Sequence, residues 1–287
     1  MPYSRRSSLL RLLPLVLPVG GLFLAGAMAT FAQSFGALSP LPGAKISWDA
    51  WKTLFSNNWI LSSVLFSLAI ALSSATLSVI LGTILAWRIH QLPGPWRSIA
   101  MTYKIPLILP HLTVAYLTVL LFGQSGVLSS WAAKLGWIQE IPDFPNLLYG
   151  GYGIGVALAY VMKETSFVAL MASGMLLKLD DRFVLSARML GASRFAVFRD
   201  IVLPHLRPVL VSSFLILTLY ALGGFEIPWL IGESRPQMLS ITAYDIYFRH
   251  DLSRRPEAAA LLGLLMILST LLIPLTFVLL GKKTSHE

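Results

Sequence analysis

Residues 178–208 read KLDDRFVLSARMLGASRFAVFRDIVLPHLRP, a basic stretch set between two long apolar runs, 149–177 and 209–231. A bilayer core of about 30 Å is crossed by roughly 20 mostly apolar helical residues. Each flanking run is therefore long enough to cross, and the stretch between them stays outside the hydrocarbon. Working outward along the chain, 9–32, 59–87, 105–122 and 257–281 pass the same test approximately. In all six runs the apolar residues are continuous, without the alternation of a barrel strand. The chain has 287 residues, 56% of them hydrophobic and 12% charged, which excludes the soluble globular classes. The expectation is an all-α membrane protein with six transmembrane helices in one domain, 1–287.

Lys and Arg are retained on the cytoplasmic side of a membrane. One set of connections holds Arg5, Arg6, Arg11, Arg88, Arg97, Lys104, Lys178, Arg182, Arg188, Arg194, Arg199, Arg207, Lys282 and Lys283. The alternate set holds Lys45, Lys52, Lys134, Arg235, Arg249, Arg254 and Arg255. Both termini are thus expected in the cytoplasm. Topology and anionic inner-leaflet lipid account for the net charge of +9, so nucleic acid is not expected as a partner. The absence of cysteine excludes disulfides, thiolate metal sites and thiol catalysis. Arg5-Arg6, the apolar run and Ala27-Met28-Ala29 also fit a cleavable signal, but that run is long for one, and its removal leaves an odd number of spans.

Residues 33–58 are expected as an external loop whose Trp48, Trp51 and Trp59 suit an interfacial belt. Pro93-Gly94-Pro95 marks a turn after the second span, and Pro106 and Pro110 predict an irregular start to the third. Outside, Ser129–Trp137 predicts a short amphipathic helix, and 232–256 an outer loop of mixed charge. Leu109-Pro110-His111-Leu112 recurs as Leu203-Pro204-His205-Leu206, but nothing around the two copies matches, which argues against an internal repeat.

Within 178–208, Asp180 and Asp181 suit the start of a helix on which Phe183, Ala187 and Leu190 share one face. Gly191 suits the left-handed residue that ends it, and Ser193 caps the next helix. There Phe195, Phe198 and Val202 form a second apolar face, and Pro204 marks the end. The reading is a helix-turn-helix on the cytoplasmic surface, between the fourth and fifth spans, its apolar residues ringed by Arg188, Arg194 and Arg199. Such faces serve equally well for docking into a partner's groove or for lying flat on lipid headgroups.

The run Ala187-Arg188-Met189-Leu190-Gly191-Ala192-Ser193-Arg194-Phe195, continued by Phe198-Arg199, Ile201, Leu203-Pro204 and Leu206-Arg207-Pro208, resembles the EAA loop of binding-protein-dependent ABC importer permeases of the type I fold. The resemblance implies that residues about 59–281 are the family core and that 178–208 couples them to a cytoplasmic ATPase. The residues it nominates for that contact are Asp181, Leu185, Ala187, Arg188, Gly191, Ala192, Ser193, Arg194, Phe195, Phe198, Ile201, Leu203 and Pro204. Leu185-Ser186-Ala187 stands where the family has Glu-Ala-Ala, so no carboxylate contact is expected at 185. No Gly-x-x-x-x-Gly-Lys-Ser/Thr loop occurs, so ATP and Mg belong to a pair of separate ATPase subunits and this chain carries no cofactor. The resemblance further implies a second permease subunit, a heterodimer before a homodimer, an extracytoplasmic solute-binding protein docking on 33–58 and 232–256, and a place in the bacterial inner membrane.

Ionisable residues inside a span are costly and are functional candidates by default. Lys163, Glu164 and Glu226, with Tyr220, are the candidates for a translocation path, each with a purely structural alternative. Tyr160, Thr165, Ser166 and Thr218 are weaker ones, since Ser and Thr also join membrane helices. Met162–Phe167 and Gly223–Gly232 are similar to the branch importing polyamines, thiamine, iron(III) and aminoethylphosphonate. Two carboxylates favour a cationic, polyamine-like solute, and Lys163 weakens that preference. A secondary transporter using Lys163, Glu164 and Glu226 as ion relays is the alternative, and a membrane scaffold recruiting a soluble partner through 178–208 is another. An intramembrane enzyme is not expected: the His-Glu-x-x-His and Gly-x-Ser-x-Gly motifs are absent, and the histidines at 90, 111, 205, 250 and 286 are scattered.

Overall fold

The computed structural model describes residues 5–38, 41, 45–150 and 152–281. Lys282, Lys283 and His286 lie outside the described residues. Helices α1 (Arg5–Ser34), α2 (Asp49–Ser56), α3 (Asn58–His90), α4 (Gly94–Ala100), α5 (Ile105–Ile108), α6 (His111–Phe122), α7 (Val127–Lys134) and α8 (Ile154–Leu176) are followed by α9 (Asp181–Met189) and α10 (Arg194–Val197). After a wide turn, Phe198–Val202, come α11 (Leu203–Gly223), α12 (Glu226–Ile231), α13 (Leu239–Arg249) and α14 (Arg255–Gly281). Six candidate spans are long and apolar enough to cross a membrane, and there is no strand among the described residues.

The chain divides into two compact units, residues 1–61 with 242–268 and residues 62–241 with 269–287. In the first, Trp51, expected in an interfacial belt, turns inward instead. Trp51 is buried, donating its indole N–H to Ser34 Oγ at 3.1 Å, and Phe35 meets Trp48 edge-on at 4.7 Å. An indole takes this inward place when its one donor finds a partner there. Gly263 of α14 leaves room for it: a Cβ at 263 would stand 3.4 Å from the Trp51 ring. The expected outer loop 232–256 contains a helix, α13, where Asp245 and Arg249 pair across one turn at 3.3 Å.

The second unit is built on the close approach of α3 and α8. A Cβ at Gly82 would lie 2.6 Å from Val168 Cβ and 2.8 Å from the Thr165 carbonyl oxygen, so only glycine permits this crossing. Small residues line the rest of the contact face of α3, including Ser63, Ser67, Ala71, Ser74, Ala75 and Ser78, all fully buried. Ser67 Oγ donates to the Ser63 carbonyl and accepts the Leu239 N–H at 2.8 Å, holding the start of α13. At the start of α8, Gly153 is left-handed (φ 68°) and gives its N–H to Glu233 Oε1 at 2.9 Å. In the segment before α8, the Glu140 and Gln139 N–H groups donate to the Asp143 carboxylate and hold its pKa below the usual carboxylate range.

Two boundaries differ from expectation, while the irregular start predicted for the third span is present. The third run, 105–122, breaks between α5 and α6, where Leu109 is extended ahead of Pro110; proline has no N–H and restricts the residue before it. The fifth run, 209–231, stops as a helix at Gly223, and Gly224 turns the chain into α12. Pro204, expected to end the second helix of the 178–208 segment, does not: Arg194–Gly223 runs on as one span. The wide turn absorbs the proline, the Leu203 N–H reaching back five residues to the Phe198 carbonyl.

Gly82→Val is expected to destabilise the purified chain by about 1–3 kcal/mol through overpacking. Gly223→Ala, with nothing within 4 Å of the added methyl, is the control. A thermal midpoint in detergent that is equal for both variants would contradict the close approach.

Candidate functional site

Glu164 is 3% exposed, and its Oε2 accepts a 3.2 Å hydrogen bond from Ser78 of α3. Its Oε1 is buried and has no hydrogen-bond partner among the described residues. One residue earlier, about 100° around the helix, Lys163 donates from Nζ to the Leu109 carbonyl, at the break between α5 and α6. That carbonyl belongs to no helix ladder, so an ammonium and an orphan acceptor satisfy each other.

Both side chains line a cavity of about 190 Å³ walled by α5, α6, α8, α11 and α12, which Tyr160, Tyr220 and His111 also face. Tyr160 and Tyr220 stand edge to face at 6.1 Å, and the Tyr220 ring lies 5.0 Å from that of His111. The Tyr160 hydroxyl donates to the Ala221 carbonyl at 3.4 Å. Of the four residues expected along a path, Lys163, Glu164 and Tyr220 come together here. Glu226 does not line the cavity; it is exposed at the first residue of α12, within electrostatic reach of Lys163 and His111. Thr218 faces away, donating to the Phe214 carbonyl of its own helix. His111 was not expected in the site, and only its position after the helix-breaking Pro110 hinted at it.

The 178–208 segment has the expected caps. Asp180 accepts the Arg182 N–H at 2.9 Å, Ser193 Oγ accepts the Ala196 N–H at 3.1 Å, and Gly191 between them is left-handed (φ 88°). Its apolar residues separate into two sets. Ala187, Ala192, Phe198 and Ile201 turn inward against a core holding Trp87, Val197, Val202 and Leu206, with Phe198 6.2 Å from Trp87. Val202 is therefore a core residue and not part of an exposed face. Phe183, Leu185, Met189, Leu190 and Phe195 remain exposed, Leu190 at 89%. Around them Asp181, Arg188, Gly191, Ser193 and Arg194 are exposed, as are Leu203 and Pro204 farther on; Arg199 chelates Asp200 at 2.7 Å.

Residues 78–286 match the family described as binding-protein-dependent transport system inner membrane component. The chain belongs to this family. It is 25% identical over 267 residues to the inner membrane ABC transporter permease protein YnjC of Escherichia coli (strain K12), covering 90% of this chain and 49% of that one. The chain thus spans about half the length of that relative. It is also 25% identical over 231 residues to the sulfate transport system permease protein CysT of the same organism, 80% of each chain. Its fold matches that of a chain in the crystal structure of a bacterial ABC transporter importing the acidic polysaccharide alginate, with a TM-score of 0.77, 18% identity, and coverage of 98% of this chain and 96% of that one. Family membership makes it a multi-pass protein of the bacterial inner membrane, a transport component and not an enzyme, with no cofactor of its own.

Gly224 sets the position of Tyr160, since a Cβ there would lie 2.3 Å from its hydroxyl oxygen. Gly224→Ala should lower the thermal midpoint, and adding Tyr160→Phe should recover most of the loss. Additive effects in this double-mutant cycle would deny the contact.

Proposed function

We propose that the chain is one membrane-spanning half of an ATP-driven importer, taking solute from an extracytoplasmic binding protein and passing it through a path shared with a second permease subunit. In this reading the chain is one permease domain, residues 1–287 with the core at about 59–281, and both termini are cytoplasmic. The observation that carries it is the turn at Gly191, where two capped helices present Phe183, Leu185, Met189, Leu190 and Phe195 to the outside. Exposed aromatic and aliphatic side chains on a firmly held turn suit the groove of a soluble partner. A separate ATPase pair is that partner. Leu185, at the family's glutamate position, gives a contact made by packing.

Residues that turn inward, Ala187, Phe198 and Ile201, hold the segment to the span, while Arg188, Arg194 and Asp181 rim the docking face. The second subunit is taken as a different chain, and the path as the cavity of Lys163, Glu164 and Tyr220 with Glu226 near by. For the solute, Glu164 and Glu226 favour a cation of the polyamine type. One observation favours an oxyanion instead: Lys163 and His111 face the same cavity. CysT is named for sulfate, and the alginate structure for an acidic polysaccharide. Ligand binding by the isolated binding protein decides between the two.

Phe195→Asp and Leu190→Asp should leave the chain folded in the membrane yet abolish the rise in ATP hydrolysis on adding binding protein and solute. Gly191→Pro should do the same by closing the left-handed conformation. Full uptake with any of these variants would sink the coupling role. Gradient-driven uptake by this chain alone, without an ATPase, would instead support a secondary transporter.

A further inference from the structure

A second cavity, of about 170 Å³, lies where the C-terminal ends of α3 and α8 meet the turn Met101–Lys104. Its polar lining is His90, Arg97, Tyr103, Lys104 and Ser173. No carboxylate is among its described lining residues.

The Arg97 guanidinium is fixed from one side, where Nη2 donates to the His90 carbonyl. Its Nε is buried without a hydrogen-bond partner among the described residues, and so is the Oγ of Ser173, which also lines the cavity. Basic residues that only mark the cytoplasmic side keep their charged heads in water. A guanidinium N–H and an idle hydroxyl, both held dry in the lining of a cavity that an ammonium and an imidazole also line, lack an acceptor of several oxygens. A tetrahedral oxyanion meets that requirement, because guanidinium, ammonium and hydroxyl donors can each reach a different oxygen.

We propose that this pocket binds a phosphate group, carried by an anionic inner-leaflet lipid or present as free phosphate. The site bears on the coupling segment, because His90 Nε2 lies 3.8 Å from Asp181 Oδ1, at the first residue of α9. An occupant therefore adds negative charge beside the imidazole that meets that helix. Binding itself does not depend on the transport reading, only on the donors at Arg97, Lys104 and Ser173.

The test uses the full chain, purified in detergent and stripped of lipid. Inorganic phosphate, phosphatidylglycerol and phosphatidylcholine are the probes, with binding followed by native mass spectrometry and by thermal shift. Inorganic phosphate or phosphatidylglycerol, but not phosphatidylcholine, should bind. Lys104→Gln and Ser173→Ala should each weaken binding by about tenfold, the scale of one charge-assisted hydrogen bond. Ser173→Ala removes no hydrogen bond of the folded chain, so its unliganded midpoint should match the parent and keep the result readable if Arg97→Gln fails to fold. Phosphatidylglycerol binding that inorganic phosphate cannot compete away identifies the lipid, and competition identifies free phosphate. No binding beyond phosphatidylcholine, or equal binding by the parent and both variants, overturns the proposal.

Discussion

In hydrocarbon every backbone N–H and C=O must find a partner inside the protein, and this constraint governs the middle of the molecule. Helices satisfy it within themselves, so trouble begins where proline breaks one. Pro110 ends α5 and leaves the Leu109 carbonyl outside any ladder, and Lys163 of α8 supplies the missing donor. An ammonium in a span is costly alone, and an orphan carbonyl is too; together they join α8 to the third span. Cavity, break and lysine are one arrangement. Filling the break with a continuous helix would strand the ammonium.

The same constraint explains what could be read from the sequence. Long apolar runs can only be spanning helices, so the six spans were legible from length and composition, and the caps at Asp180, Gly191 and Ser193 from local backbone chemistry. Pro106 and Pro110 announced the irregular start of the third run, but the end of the fifth was not legible. Apolarity is blind to a break inside hydrocarbon, and Gly224 and Pro110 carry no sign of how far the chain turns. The helix α13 hid within a charged stretch because its polar face pairs Asp245 with Arg249 and its start is held from a distance, by Ser67.

The site divided along the same line. Lys163, Glu164 and Tyr220 were visible because charge and phenol are conspicuous among aliphatic residues. Glu226 was equally conspicuous yet stands outside the cavity, since the turn at Gly224 redirects it. Ser78 and Glu233 gave no signal, and His111 only its place after Pro110, because each matters through a partner far along the chain: Glu164, Gly153 and Tyr220. In the 178–208 segment, periodicity found the apolar residues but not which face each would take. Trp87, from another helix, decides that by drawing Phe198 inward.

The coupling proposed between the segment and the cavity has a route in the connectivity. The helix before the segment, α8, carries Tyr160, Lys163 and Glu164, and the helix after it, α11, carries Tyr220. Any force on α9 and α10 thus acts on the adjoining ends of two cavity walls. A helix is stiff along its axis, so a shift at one end reappears at the other. The wide turn Phe198–Val202 joins α10 directly to α11, whereas α8 enters the segment through three residues, Lys178, Leu179 and Asp180, after its C-cap. The two walls are therefore joined to the segment in different ways. In the proposed importer, motion of α8 relative to α11 would separate Lys163 and Glu164 from Tyr220 and so open the cavity they share.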